Sequence, residues 1–199
     1  MDLRPDAPLV GRLVRVEPVE ERHRDGLRAA LEESPELMRF MPYPGFDRWF
    51  AYALAVETEI PFAVVVDGRV VGSTRYLACA PEHKRVEIGG TWLVRSQWGK
   101  GANVETKLLL LEHAFEHWGA MRVEFKTDAR NQRTRGSLLA LGARFEGIFR
   151  KHMLVVDGVR DSAWYAIVDD EWPAVKELLL RRLGEREAGP AAASPARSP

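Results

Sequence analysis

The chain has 199 residues, 46% of them apolar, with 29 Lys and Arg balancing 29 Asp and Glu, and a single cysteine, Cys79. That length suits one domain with a substantial core, and the charge balance excludes a global field that would recruit nucleic acid or an anionic membrane. The lone cysteine excludes an internal disulfide or a cysteine-based metal cluster, and no stretch is long and apolar enough to span a bilayer or serve as a signal-peptide core, so a cytoplasmic protein is expected.

In chain order, Leu9 to Val19 reads as a first strand and Glu20 to Glu32 as a helix with Leu27, Ala30 and Leu31 in its buried stripe. Ser34 and Pro35 suit the start of a short helix that Pro42 and Pro44 interrupt. A better helix follows from Phe46 to Thr58, with Trp49, Phe50, Ala53 and Leu54 near the 3.6 period. Phe62 to Val66 and Arg69 to Leu77 flank Asp67-Gly68, a strong hairpin signal because the tight primed turn needs positive φ. A fourth strand opens at Lys84, where Val86, Ile88, Trp92 and Val94 alternate with Glu87, Gly89, Thr91 and Leu93. Beyond it come a glycine-bearing loop from Ser96 to Asn103 and a helix from Val104 to Trp118, with Val104, Leu108, Leu111, Phe115 and Trp118 on one face. Met121 to Thr127 is a fifth strand, and Asn131 to Leu141 a helix that Gly142 stops. A second Asp-Gly hairpin joins Phe145–Val156 to Val159–Val168, and a last amphipathic helix runs from Asp170 to Leu183. The expected organisation is one domain over 1–183 and a disordered Ala/Pro/Ser-rich tail over 184–199. Strands and helices in this order make a mixed α/β sheet with helices on both faces.

The loop between the fourth strand and third helix draws attention on physical grounds. A strand, a glycine-bearing turn and a helix place bare backbone N–H groups at the positive end of a helix dipole, which attracts an anion, most often phosphate. Gly99 and Gly101 let the backbone approach such a ligand, and Asn103 is a candidate N-cap. The spacing fits neither a Walker loop nor a Rossmann fingerprint, and an ordinary strand-to-helix turn is the competing reading.

Four stretches together resemble the GCN5-related N-acetyltransferase (GNAT) fold, and within it the RimJ/RimL-like branch. They are EIGGTWL, WGKGANVETK, TDARNQRT (Thr127 to Thr134), and LGARFEGIFRKH (Leu141 to His152) continuing into DGVRDSAWYAIVDDEWP; they span roughly 84 to 173, while the N-terminal third fits by element order only. The family loop, Gln/Arg-x-x-Gly-x-Gly/Ala, falls on Trp98 to Asn103. Gly101 matches, whereas Trp98, familiar in this branch, and Asn103 replace the outer positions.

The resemblance implies an acetyl-CoA-dependent N-acetyltransferase in which an amine attacks the thioester directly, within a ternary complex and with no metal. Pyrophosphate would rest on the N–H groups of Gly99, Lys100, Gly101, Ala102 and Asn103, with Lys100 and Arg95 adding charge or simply standing in solvent. Trp98 joins the cofactor-binding set. The fourth strand splays from the fifth in this fold, which implicates Trp92, Leu93 and Val94 in holding pantetheine. Glu87 is the candidate acceptor of the amine's proton, against the alternative of a solvent-facing glutamate or one paired with Arg85. Many relatives protonate the leaving thiolate with a fourth-helix tyrosine, but Asn131 to Leu141 has none. Thr134 is then the candidate donor to sulfur and Asn131 a pantetheine ligand, with helix capping the compatible alternative. His113 and His117, spaced i, i+4, read as a solvated helix face rather than a metal pair, and His152 reads as either a wall of the acceptor site or an ordinary half-buried strand histidine. Pro42 to Thr58, with Tyr43, and the last hairpin would select the acceptor: a protein N-terminus, a polyamine or another small-molecule amine. The partners implied are acetyl-CoA, that amine and a second copy in a homodimer, not nucleic acid or membrane. A non-catalytic acyl-CoA-binding module is the alternative.

Overall fold

The computed structural model describes residues 3–40 and 45–187. Eight strands form one sheet in the order β1-β2-β3-β4-β5-β6-β8-β7. They are β1 (Leu9–Val10), β2 (Arg15–Pro18), β3 (Ile60–Val66), β4 (Arg69–Ala80), β5 (Arg85–Leu93), β6 (Arg122–Asp128), β7 (Arg144–Val155) and β8 (Gly158–Val168). The helices are α1 (Arg24–Glu33), α2 (Phe46–Ala55), α3 (Ala102–Glu112), α4 (Gln132–Leu141) and α5 (Trp172–Glu187). The mixed α/β class and the expected element order are both present. Asp67 and Gly68 turn β3 into β4 with φ of 49° and 75°, as a primed hairpin turn demands.

Three expectations need correction. The strand from Leu9 to Val19 is two short strands, because Gly11 N–H bonds Val14 O at 2.9 Å and a carboxylate from α3 gathers the turn between them. Glu105 accepts the N–H groups of Arg12, Leu13 and Val14 at 3.0, 2.6 and 2.8 Å, and these short bonds hold the chain out of extended pairing. The last helix passes Gly184 and reaches Glu187, so only 188–199 of the tail lies outside the described residues, as does the 41–44 segment with Tyr43. The third helix is buried well beyond one stripe: Glu105, Thr106 and Lys107 are enclosed along with Val104, Leu108, Leu110 and Leu111. α5 and the first two strands pack against α3, and Tyr76 of β4 reaches its Leu110 O.

β5 connects this architecture to a site. It runs parallel to β6, but the pairing covers only Arg85–Glu87 against Arg122–Glu124. Beyond Glu87, β5 continues beside β4 to Leu93, and β6 continues beside β8 to Asp128. The sheet therefore opens into a fork with Glu87 at its vertex.

The faces of the fork follow from cross-strand partners, which share a face. Tyr76 lies opposite Ile88 and donates its hydroxyl to Leu110 O of α3, so Ile88 faces α3. Trp92 lies opposite Ser73 and packs edge-on against Trp49 of α2, ring centroids 5.8 Å apart. Strict alternation would put Ile88 and Trp92 on one face. A β-bulge breaks it: Ser73 to Arg75 opposes the longer span from Trp92 to Gly89, and Gly90 takes φ of 57°. Thr91 consequently faces α3, bonded to Thr74 at 2.8 Å, and leaves the face of Glu87 and Gly89 where alternation places it.

Candidate active site

Glu87 is only 1% exposed, a carboxylate taken almost wholly out of water. Lys126 Nζ donates to its Oε2 at 2.6 Å. Burial pushes the Glu87 pKa up, and the Lys126 ammonium offsets only part of that rise. A carboxylate so placed is a stronger base than one on the surface. Neither alternative read from the sequence holds, since Glu87 is not solvent-facing and Arg85 turns instead to Glu124 at 3.2 Å.

Glu87 lies opposite Glu124, which puts Lys126 and Asp128 on that same face by β alternation. Trp164 and Ser162 of β8 sit opposite Lys126 and Asp128. His152 shares a hydrogen bond with Ser162 Oγ at 3.0 Å and meets the Trp164 ring edge-on, so it does reach this wall. Burial first, then Lys126 and Arg160, depress its pKa and favour the neutral ring. A groove of about 280 Å³ opens here, lined by Arg85, Arg122, Glu124, Glu146, Phe149 and Trp164. The larger cavity, about 530 Å³, is lined by the N-terminal segment with His113, His117 and Trp118 and includes no fork residue. His113 is half-buried against Tyr76, centroids 6.1 Å apart, and so departs from the expected solvated face, whereas His117 is exposed.

At the open end of the fork stands the N-terminus of α3. Its cap is Gly101, at φ 95°, and among the described residues no side chain caps it. Asn103 is therefore not the N-cap; it lies one residue inside the helix and reaches Ser137 of α4 at 3.5 Å. The uncapped start leaves helix N–H groups facing outward, as an anion requires. Among the five N–H groups expected from sequence, that of Lys100 is used by the turn, bonded to Gln97 O at 3.3 Å. Gly99, at φ 77°, has nothing within 4 Å of where a Cβ would stand.

Trp98 organises the surrounding charge. Its indole N–H donates to Leu93 O at 2.8 Å, and its ring lies under two guanidinium groups, Arg133 at 3.5 Å and Arg95 at 5.3 Å. Sequence reasoning misses Arg133, on α4, because no local pattern ties α4 to the loop. Its pKa is pushed down by burial and by Arg95. Two cations held together beside a bare helix N-terminus make an anion site whose charge is only partly compensated from within.

On α4, Asn131 caps the helix, its Oδ1 accepting the Thr134 N–H at 3.1 Å. The capping alternative is thus real, and it leaves the Thr134 hydroxyl and the Asn131 amide N–H₂ for other work. At the end of β5, Leu93 O is committed to Trp98, and the N–H of Val94, the residue after the strand, to Val71 O at 2.9 Å, which engages two of the backbone groups expected to meet pantetheine. The bulge at Gly90 and Thr91 presents itself nearer the vertex. There Lys107, another residue that sequence reasoning misses, extends from α3 to bond Thr91 Oγ1 at 2.6 Å.

Comparison with known proteins agrees with this geometry. A family model described as an acetyltransferase (GNAT) domain matches residues 13–144. None of the curated proteins matches the chain. Among solved structures, a T. thermophilus protein assigned to the acetyltransferases is 37% identical, with TM-score 0.82, covering 90% of this chain and 98% of that one. A GCN5-related N-acetyltransferase from Brucella melitensis is 30% identical, with TM-score 0.84 and coverage of 92% and 87%. Mycobacterium smegmatis RimJ, solved with CoA-disulfide, shares the fold at TM-score 0.76 and 22% identity, covering 88% of this chain and 91% of that one.

Proposed function

The chain belongs to the GNAT family of acetyltransferases, and on that premise we propose that it moves an acetyl group from acetyl-CoA to a primary amine in the fork between β5 and β6. The observation that carries this reading is Glu87, a buried carboxylate with raised pKa at the vertex where the two strands part. The family supplies acyl-CoA-dependent N-acetyl transfer; the acceptor and the residue roles are our reading.

Acetyl-CoA enters from the α3 side. Its pyrophosphate takes the N–H groups at the start of α3, with Arg133 and Arg95 adding charge around Trp98. The CoA-disulfide bound by the RimJ relative supports a CoA ligand on this fold. Pantetheine follows the unpaired edge of β5 toward the vertex, passing Asn131 and Thr134. The amine enters from the opposite face, along the groove where the Phe149 and Trp164 rings take its apolar stem, while Glu124 and Glu146 are already paired with Arg85 and Arg122. An amine near pKa ~10 arrives mostly protonated at neutral pH, and Glu87 accepts the proton that must leave before or during attack. The free amine attacks the thioester carbon, the C–S bond breaks, and CoA leaves without a covalent enzyme intermediate. A protein N-terminus or the stem of a small polyamine suits the Phe149 and Trp164 rings of this groove. Cytoplasm, which contains acetyl-CoA, is the compartment we assign.

The test is a panel of peptides with free N-termini, polyamines and other small-molecule amines, each mixed with acetyl-CoA and purified protein. Free CoA and an acetylated product appearing together for at least one acceptor support the reading. Tight acetyl-CoA binding with no product across the panel would favour a non-catalytic acyl-CoA module.

A further inference from the structure

The acetyl-transfer chemistry above leaves one buried ionisable group unused. Lys107 is 5% exposed. Its ammonium donates to Thr91 Oγ1 at 2.6 Å and lies 5.7 Å from the Phe125 ring centroid. Among the described residues no carboxylate forms an ion pair with it. Thr91 belongs to β5 and Phe125 to β6, both past the last paired residues of those strands, so Lys107 occupies the fork from the α3 side. Glu87 stands at the vertex on the other side.

A buried ammonium with only a hydroxyl and a ring for company is poorly compensated. Burial lowers its pKa to about 7, with Glu87 the sole charge raising it. The other ionisable groups nearby are already engaged. Glu105, on the same helix, holds three N–H groups, and Tyr76 of β4 donates to Leu110 O. Glu124 and Lys126 of β6 face away from α3, and Lys126 is bonded to Glu87. What the site lacks is an anion, and departure of CoA creates one in the fork.

Resting on the acetyl-transfer reading, we propose that Lys107 is the proton donor to the departing CoA sulfur, the role for which α4 offers no tyrosine. As the amine nitrogen bonds to the carbonyl carbon, the C–S bond breaks and its electron pair stays on sulfur. Sulfur takes a proton from the Lys107 ammonium, which becomes the neutral amine, while Glu87, having already released the substrate ammonium's first proton to solvent, takes the second from the attacking nitrogen. Exchange of both protons with solvent after product release restores the starting state. Thr91 positions the ammonium toward the gap, and the Gly90 bulge is what turns Thr91 to that face.

The experiment uses Lys107→Met, which keeps the length of the side chain and removes the buried charge, with Thr91→Val as a second variant should the first fail to fold. Two quantities are read: turnover at saturating acetyl-CoA, and the pH at which the thiol of enzyme-bound CoA ionises, followed by thiolate ultraviolet absorbance. The expected result is a loss of about a hundredfold in kcat, the lower end of general-acid contributions, with acetyl-CoA affinity unchanged. Bound CoA should ionise at lower pH in the parent than in Lys107→Met, because only the parent has an ammonium to stabilise the thiolate. Thr91→Val, which leaves the ammonium less well held, should shift both readings in the same direction. Parent-like turnover in Lys107→Met, or identical thiol ionisation in parent and variant, would overturn the proposal and leave Lys107 as packing. If the parent itself binds no acetyl-CoA or acetylates no amine, the acetyl-transfer reading fails first and takes this one with it.

Discussion

At the scale of single residues, Glu87 and Arg133 separate proton transfer from cofactor binding. Glu87→Gln keeps the shape and one hydrogen-bond acceptor for Lys126 but removes the basic carboxylate. Turnover at neutral pH should fall by ~10²–10⁴-fold, the usual general-base contribution, and the loss should shrink as pH rises and more amine arrives deprotonated. Acetyl-CoA affinity measured by calorimetry should stay as in the parent. Arg133→Ala should do the opposite. It removes a guanidinium stacked on Trp98 at 3.5 Å beside the start of α3, so acetyl-CoA should bind about tenfold more weakly, roughly 1.4 kcal/mol, with kcat at saturation little changed. Unaltered affinity in that variant would remove Arg133 from the anion site. Glu87 is legible in the sequence because its strand and motif can be recognised locally. Arg133 and Lys107 are not, since each acts through contacts between α4 or α3 and a loop or strand distant in sequence.

At the scale of elements, the bulge in β5 decides which side chains meet the fork from which side. Gly90 has φ of 57°, and a Cβ there would come within 2.8 Å of Arg75 Nε. A β-branched residue is strained in that conformation, so Gly90→Val should cost about 1–3 kcal/mol of stability. It should also swing Thr91 from the α3 face and lower turnover in the molecules that remain folded. A Gly90→Val protein as stable and active as the parent would mean the bulge is incidental. Period-2 reading places Thr91 beside Glu87 because alternation carries no sign of an inserted residue; the Gly89-Gly90 pair is the only available hint. The same limit explains Asn103, a good capping residue by type that the positive φ of Gly101 displaces into the helix. Hairpins fare better, since Asp67-Gly68 carries its turn chemistry within two residues.

At the scale of the whole molecule, Lys107 makes stability depend on pH in a stated direction. Its pKa is about 7 when folded against 10.5 as a free side chain. Between those values the unfolded chain binds more protons than the native one, so this residue's contribution makes stability rise as pH increases from about 7 toward 10.5. Below about 7 both states are protonated and the destabilisation from the buried charge is present in full. Lys107→Met should therefore melt higher than the parent at neutral pH, with the difference shrinking toward about pH 10; a difference independent of pH would mean the ammonium is not buried in solution. Removing 188–199, which is rich in Ala, Pro and Ser, should leave the melting temperature unchanged, since the composition offers no apolar face to bury. A clear drop would show that the segment docks on the domain. The architecture as a whole can be read from element order, but the length over which β5 and β6 pair cannot, and that length creates the fork.

On this mechanism acetyl passes directly from CoA to an amine held in that fork. The most direct measurement is a single turnover: protein loaded with acetyl-CoA is mixed with an accepted amine, quenched at intervals, and weighed by intact mass spectrometry alongside product and free CoA. Acetylated amine and free CoA should rise together in equal amounts while the mass of the protein stays constant throughout. An acetylated protein appearing before the product, or bound acetyl-CoA that is never consumed, would contradict the account.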